Sequence, residues 1–173
     1  MNAKFKGSVR ADEGRTLIGG TVAPNATIIA NSQVIVVGDA VKSASGFITP
    51  AAITSAAIAG IVVSVLDANG IPVTPDAGTT DTWTVASDNQ TNAQKYAQID
   101  ESPFTIYSFK IDNTPGTTTG SNLRNYYADF TDHSQLSESS TATTGKVIRL
   151  LGVDPDDATR VLGTINKPES LRN

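Results

Sequence analysis

His133 is the single histidine of the chain and stands between Asp132 and Ser134, so the residue types of a hydrolytic triad occur side by side. A triad needs those side chains converging from separate elements, with the imidazole between the other two. Neighbours along a strand point to opposite faces, so this trio does not converge by itself. No Gly-x-Ser-x-Gly elbow accompanies it. The reading is a solvated loop histidine. Asp154, Asp156 and Asp157 are close enough in sequence to wrap a calcium ion with oxygen ligands. The Gly and the distal Glu of an EF-hand loop are missing, however, and Asp beside Pro155 equally suits a plain turn. Both readings stay open. With one His and no Cys, a zinc site would have to be built mainly from carboxylates, which is unusual for that ion. Thr144-Gly145-Lys146 is only a fragment of a phosphate-binding loop, and it leads into a strand rather than a helix. No pair of carboxylates is singled out for sugar hydrolysis. Trp83, Tyr96, Tyr107, Tyr126 and Tyr127 are the material for a sugar-stacking face, but in a β protein such side chains more often fill cores or interfaces. No catalytic, cofactor-binding or metal residue is assigned, and the expectation is a protein that is not an enzyme.

The elements that would carry these residues are short strands. A chain of 173 residues can bury one sizeable core, yet only 39% of it is apolar and 17% charged. Too few charges exist to coat long amphipathic helices, whereas Thr-rich strands need none. The net charge of −4 argues against a nucleic-acid partner. The longest apolar run, residues 58–66, has a strand's length and not a membrane span's. No apolar stretch follows Lys4 and Lys6, so no secretory signal is read there. Absence of Cys suits assembly in a reducing cytosol without fixing the compartment.

Residues 26–37 read as one β-branched strand ending at Gly38-Asp39, and residues 40–48 as a tight pair turning at Ser43-Ala44-Ser45. The run 58–66 needs cover on both faces, and Asn69-Gly70 after it is a hairpin signal. Residues 82–86, 104–111, 146–153 and 160–165 are further strands. This succession predicts an all-β fold, a compact sandwich or barrel of short antiparallel strands. Ile61, Val63, Val65, Phe104, Ile106, Ile148 and Leu150 are expected to share one core. Residues 114–121, rich in Gly, Pro and Thr, are expected to be an exposed and dispensable loop.

Residues 1–24 read differently. Lys4, Lys6, Arg10 and Arg15 are spread among glycines, and the isolated Phe5, Val9, Leu17 and Ile18 follow no period. Such a segment cannot build its own core. It is read as an extended arm leaving a single β domain of residues 25–173, with Gly19-Gly20 as its hinge. Lys4, Phe5, Lys6, Arg10, Leu17 and Ile18 are its candidate assembly contacts, the apolar members as anchors and the cations for steering.

The order of the strands carries a resemblance. Residues 34–42, ending a strand in Gly38-Asp39, precede Gly46-Phe47-Ile48-Thr49-Pro50-Ala51 and then the apolar segment 59–64. Phe104-Thr105-Ile106 and residues 125–130 follow, and a Ser/Thr run over 137–144 feeds Leu150-Leu151-Gly152, Asp154-Pro155-Asp156 and a last strand ending at Ile165-Asn166. Over roughly residues 30–168 this resembles the cement, or decoration, proteins of tailed-phage capsids. The resemblance implies a structural protein that binds the outer surface of the capsid and stabilises the shell. The resemblance further implies a protein made in the host cytoplasm, with the major capsid protein and copies of itself as partners, a trimer favoured over a dimer. It implies no catalytic residues, no cofactor, no nucleic acid and no membrane. The other reading is a receptor- or carbohydrate-binding β module of a head fibre or tail.

Overall fold

The computed structural model of the chain describes residues 2–8, 26–51, 57–113, 123–138, 142 and 146–166. In chain order its strands begin with β1 (Lys4–Ser8), β2 (Ala26–Ile28), β3 (Val34–Val36), β4 (Ala40–Ala44), β5 (Phe47–Pro50), β6 (Gly60–Leu66) and β7 (Thr82–Thr84). A one-turn helix α1 (Asn89–Asn92) precedes β8 (Tyr96–Asp100), β9 (Thr105–Ile111), β10 (Tyr127–Ala128), β11 (Phe130–Asp132) and β12 (Gln135–Leu136). Two long strands end the series, β13 (Ile148–Asp154) and β14 (Asp157–Ile165). The fold is all-β.

Two sheets curl on themselves. The first runs β10-β13-β14-β9-β12-β11, with β1 added on β9. Its two ends are consecutive parts of one segment, since Asp129 alone separates β10 from β11. Tyr127 pairs with Arg149 on one side and Phe130 with Leu136 on the other, so the sheet nearly closes into a barrel. The second runs β2-β8-β6-β4-β5, and a parallel bridge between Ile29 and Ile48 brings its first and last strands together. The ribbon of β3 and β7 covers it, with Ile35 opposite Trp83.

Two apolar clusters fill these sheets. Tyr107, Phe109, Phe130, Ile148, Leu150 and Ile165 belong to the first, and Ile29, Ile48, Val65, Trp83 and Ile99 to the second. At their shared wall, Ala40 and Ile61 face the first cluster while Val41 and Val62 face the second. The apolar run 58–66 thus has its cover on both faces. The single core expected from sequence is corrected: Ile61, Ile148 and Leu150 lie in one cluster and Val65 in the other. Val63, Phe104 and Ile106 are only half-buried. In β9 the inward residues are Thr105, Tyr107, Phe109 and Ile111, so Ile106 points the other way. Phe104 and Ile106 could not share a face with Phe109 and Ile111, because their parity differs.

Turn chemistry corrects two further expectations. Residues 26–37 are not one strand, since a turn at Asn31-Ser32, with Ser32 at φ 55°, sends β2 and β3 into different sheets. The β4–β5 hairpin turns at Ser45-Gly46, both with positive φ, one step later than the serines suggested. The 114–121 loop lies outside the described residues.

Candidate assembly surface

A strand that cannot make its own core can still use another's edge, and residues 2–8 do so. β1 runs antiparallel to β9, with Lys4 opposite Ser108, Phe5 opposite Tyr107, Gly7 opposite Ile106 and Ser8 opposite Thr105. Ahead of it, the Asn2 N–H donates to the Val37 carbonyl at 3.1 Å and the Ala3 N–H to that of Gly38 at 2.9 Å. Ala3 is buried at 3% exposure, the one apolar side chain of residues 2–6 in the core. Gly38 makes this approach possible: its φ is +88°, and a Cβ there would stand 2.4 Å from the Ala3 nitrogen and oxygen. The extended arm is therefore corrected for residues 2–8, which lie on their own β body. Arg10, Leu17 and Ile18 lie outside the described residues.

Three buried charged groups hold the segment. Asp39, fully buried, accepts from Asn2 Nδ2 at 2.6 Å and from the Val36 N–H at 2.8 Å. Its Oδ1 also lies 3.0 Å from His133 Nδ1, a contact that is an ion pair when the imidazole is protonated. His133 is thus not the solvated loop residue expected, because the β11–β12 turn presses it onto the β3–β4 turn. The Asp39 carboxylate raises the imidazole's pKa, outweighing partial burial, and Asp132 adds to the rise. Arg160 is 3% exposed. It donates from Nε to Ser108 Oγ at 2.9 Å, and from Nη2 to the Ser108 carbonyl at 2.6 Å and to the Asn2 carbonyl.

Asp154 is the third. Burial pushes its carboxyl up, but the Ser108 hydroxyl, the Asp156 N–H and Lys6 together hold it below the usual carboxylate range. A bulge between Phe5 and Gly7 leaves Lys6 out of the ladder. Its ammonium stands 3.2 Å from Asp154 Oδ2 and 2.9 Å from Asp156 Oδ2. Of the triplet considered for calcium, two carboxylates therefore hold this ammonium, and Asp157 instead accepts from the Thr159 hydroxyl at 2.6 Å. Among the described residues, no three His, Asp or Glu side chains are grouped to hold a metal ion. Lys4 and Phe5 are both exposed, Phe5 at 67% with its ring edge-on to Tyr107, centroids 6.4 Å apart.

Other candidates are plainer. A groove of about 300 Å³ lies between Pro103-Phe104 and the β13–β14 pair, and its one charged lining residue is Arg149. Trp83 is buried and donates from Nε1 to the Val73 carbonyl at 2.9 Å. Tyr107 is buried in the other cluster, its hydroxyl donating to Asp100 at 2.8 Å. These two aromatic residues form no common stacking face. Among the described residues no helix is long and apolar enough to cross a membrane. No protein-family model matches the chain, and no curated protein or solved structure matches it either. Sequence reasoning missed Gly38, Asp39, Ser108 and Arg160. One signal was present, a lone arginine directly before the apolar Val161-Leu162 of an expected strand.

Proposed function

We propose that the chain is a structural protein that binds the outer face of a phage capsid and stabilises the shell, acting as several copies. The observation that carries this reading is what its buried charges bind. Asp39, Asp154 and Arg160 converge on a chain segment, residues 2–8, through its backbone and polar side chains, and Phe5 is left exposed beside them. Sites that hold extended chain by main-chain bonds suit protein–protein assembly. Affinity in such a protein comes from area and from many copies acting together, and a largely neutral, Thr-rich surface fits that demand. The strand order over residues 30–168 points the same way. The carbohydrate-binding alternative asks for an exposed stacking face; of its candidates Trp83 and Tyr107 are buried, and Tyr96, Tyr126 and Tyr127 are half-buried. The test is co-sedimentation of the full chain with undecorated phage shells, alongside a glycan array. Saturable binding to shells and none to glycans is expected. Glycan binding without shell binding overturns the reading.

A further inference from the structure

The slot that holds residues 2–8 is built to be filled but not to choose whose strand fills it. Its framework stands without the segment: Val36 and His133 hold Asp39, Ser108 holds Arg160, and the Asp156 N–H donates to Asp154 at 3.0 Å. An empty slot would leave these buried charges short of partners, which is costly. The segment buries little apolar surface of its own, since Ala3 is its one buried apolar side chain and Phe5 is 67% exposed. Among the described residues, the slot's contacts with the segment come from Asn2–Ser8, and a neighbour's segment would satisfy them equally. Seventeen residues separate Ser8 from Ala26. Fully extended, that length reaches at most about 60 Å, several times the roughly 15 Å radius of gyration of a body this size.

We propose that the Gly38–Asp39–Arg160–Asp154 slot is a strand acceptor that takes residues 2–8 of a second copy, so that copies in contact exchange β1. The inference deepens the assembly reading by naming the surface through which copies join. Exchange in trans competes with the tethered strand, whose effective concentration is on the order of millimolar, so it becomes prominent where copies are crowded.

Natural-isotope and heavy-nitrogen full-length chains are co-refolded at about 1 mM, matching that effective concentration. A water-soluble carbodiimide then activates the Asp154 or Asp156 carboxyl, the Lys6 amine attacks it to form an amide, and the carbodiimide leaves as its urea, having taken up the elements of water. Mass spectrometry reads the linked peptides. Light–heavy hybrids are expected, approaching about half of the linked species for randomly paired, fully exchanged copies. Linked peptides of matched isotope only overturn the proposal. Lys6→Gln should abolish the linked species, and peptides of the same mass class surviving that change overturn the assignment of the slot. Failure of shell binding would leave strand exchange standing, and matched-isotope linkage would leave shell binding standing.

Discussion

Around Phe109 the chain buries Tyr107 and Phe130 together with Ser108, Asp154 and Arg160, while around Val65 it buries Ile29, Val41, Ile48, Val62 and Ala97. The buried polar side chain of that second region, Asn89, is spent locally. It donates to the carbonyls of Ile29 and Lys95 and accepts from the Gln94 and Lys95 N–H groups, tying α1 to β2 and β8. The charges of the first region instead reach a segment more than a hundred residues away in the chain. Burying charge rarely adds stability over well-packed apolar side chains, so its use there is best understood as fixing one partner in one register. The contrast separates a region that mainly folds from a region that folds and also holds something.

The largest expected effect tests whether the two regions are one cooperative unit. Phe109→Ala should lower stability by about 3–5 kcal/mol. Trp83, the one tryptophan, sits in the other cluster. Because Ala40-Val41 and Ile61-Val62 form a wall common to both clusters, its fluorescence should report the same lowered midpoint as far-UV circular dichroism. A Trp83 transition left in place would split the molecule into independently melting parts. Arg160→Leu should come next, at about 3 kcal/mol in urea unfolding, since it leaves the Ser108 and Asn2 carbonyls and the Ser108 hydroxyl without their buried donor. A neutral outcome would show that the first region's buried charge is dispensable.

Ile106→Asp should cost only about 1 kcal/mol, because Ile106 is half-buried and lies outside the Tyr107–Phe109 cluster. A loss as large as that of Phe109→Ala would place Ile106 in a core. The smallest effect is pH-dependent. Asp39 raises the His133 pKa in the folded state, so the pair's contribution is full below about pH 6.5 and fades as pH rises through the higher folded value. Asp39 and Asp132 are the acids acting on it. The gap in melting temperature between the native chain and His133→Gln should therefore shrink from about pH 6 to about pH 9. A gap that widens over that range would refute the pairing.

Strand content was legible because β-branched runs, scarce charge and turn residues all point the same way, as at residues 58–66 and in the β13–β14 pair. Parity within β9 was legible too, since Tyr107, Phe109 and Ile111 share it, and the misplacement of Ile106 came from mixing the two faces. The seat of residues 2–8 on β9 was not read. Lys4, Phe5 and Lys6 were singled out, but as groups reaching away from the body, because a sparse segment shows no period and its pairing partner lies a hundred residues on.

By itself, then, the amino-acid order determined that this chain makes short strands, where several of them turn, and which apolar stretch must be covered twice. Those are local matters, settled by propensity, alternation and the conformations that Gly and Asn allow. Only the tertiary structure decided that the strands form two curled sheets with separate clusters, and that Asp39 meets His133. It also decided that the cation in the 154–157 turn is the ammonium of Lys6. Pairings between distant segments depend on which edges and buried charges are left needing partners once the sheets have closed, and no local pattern records that.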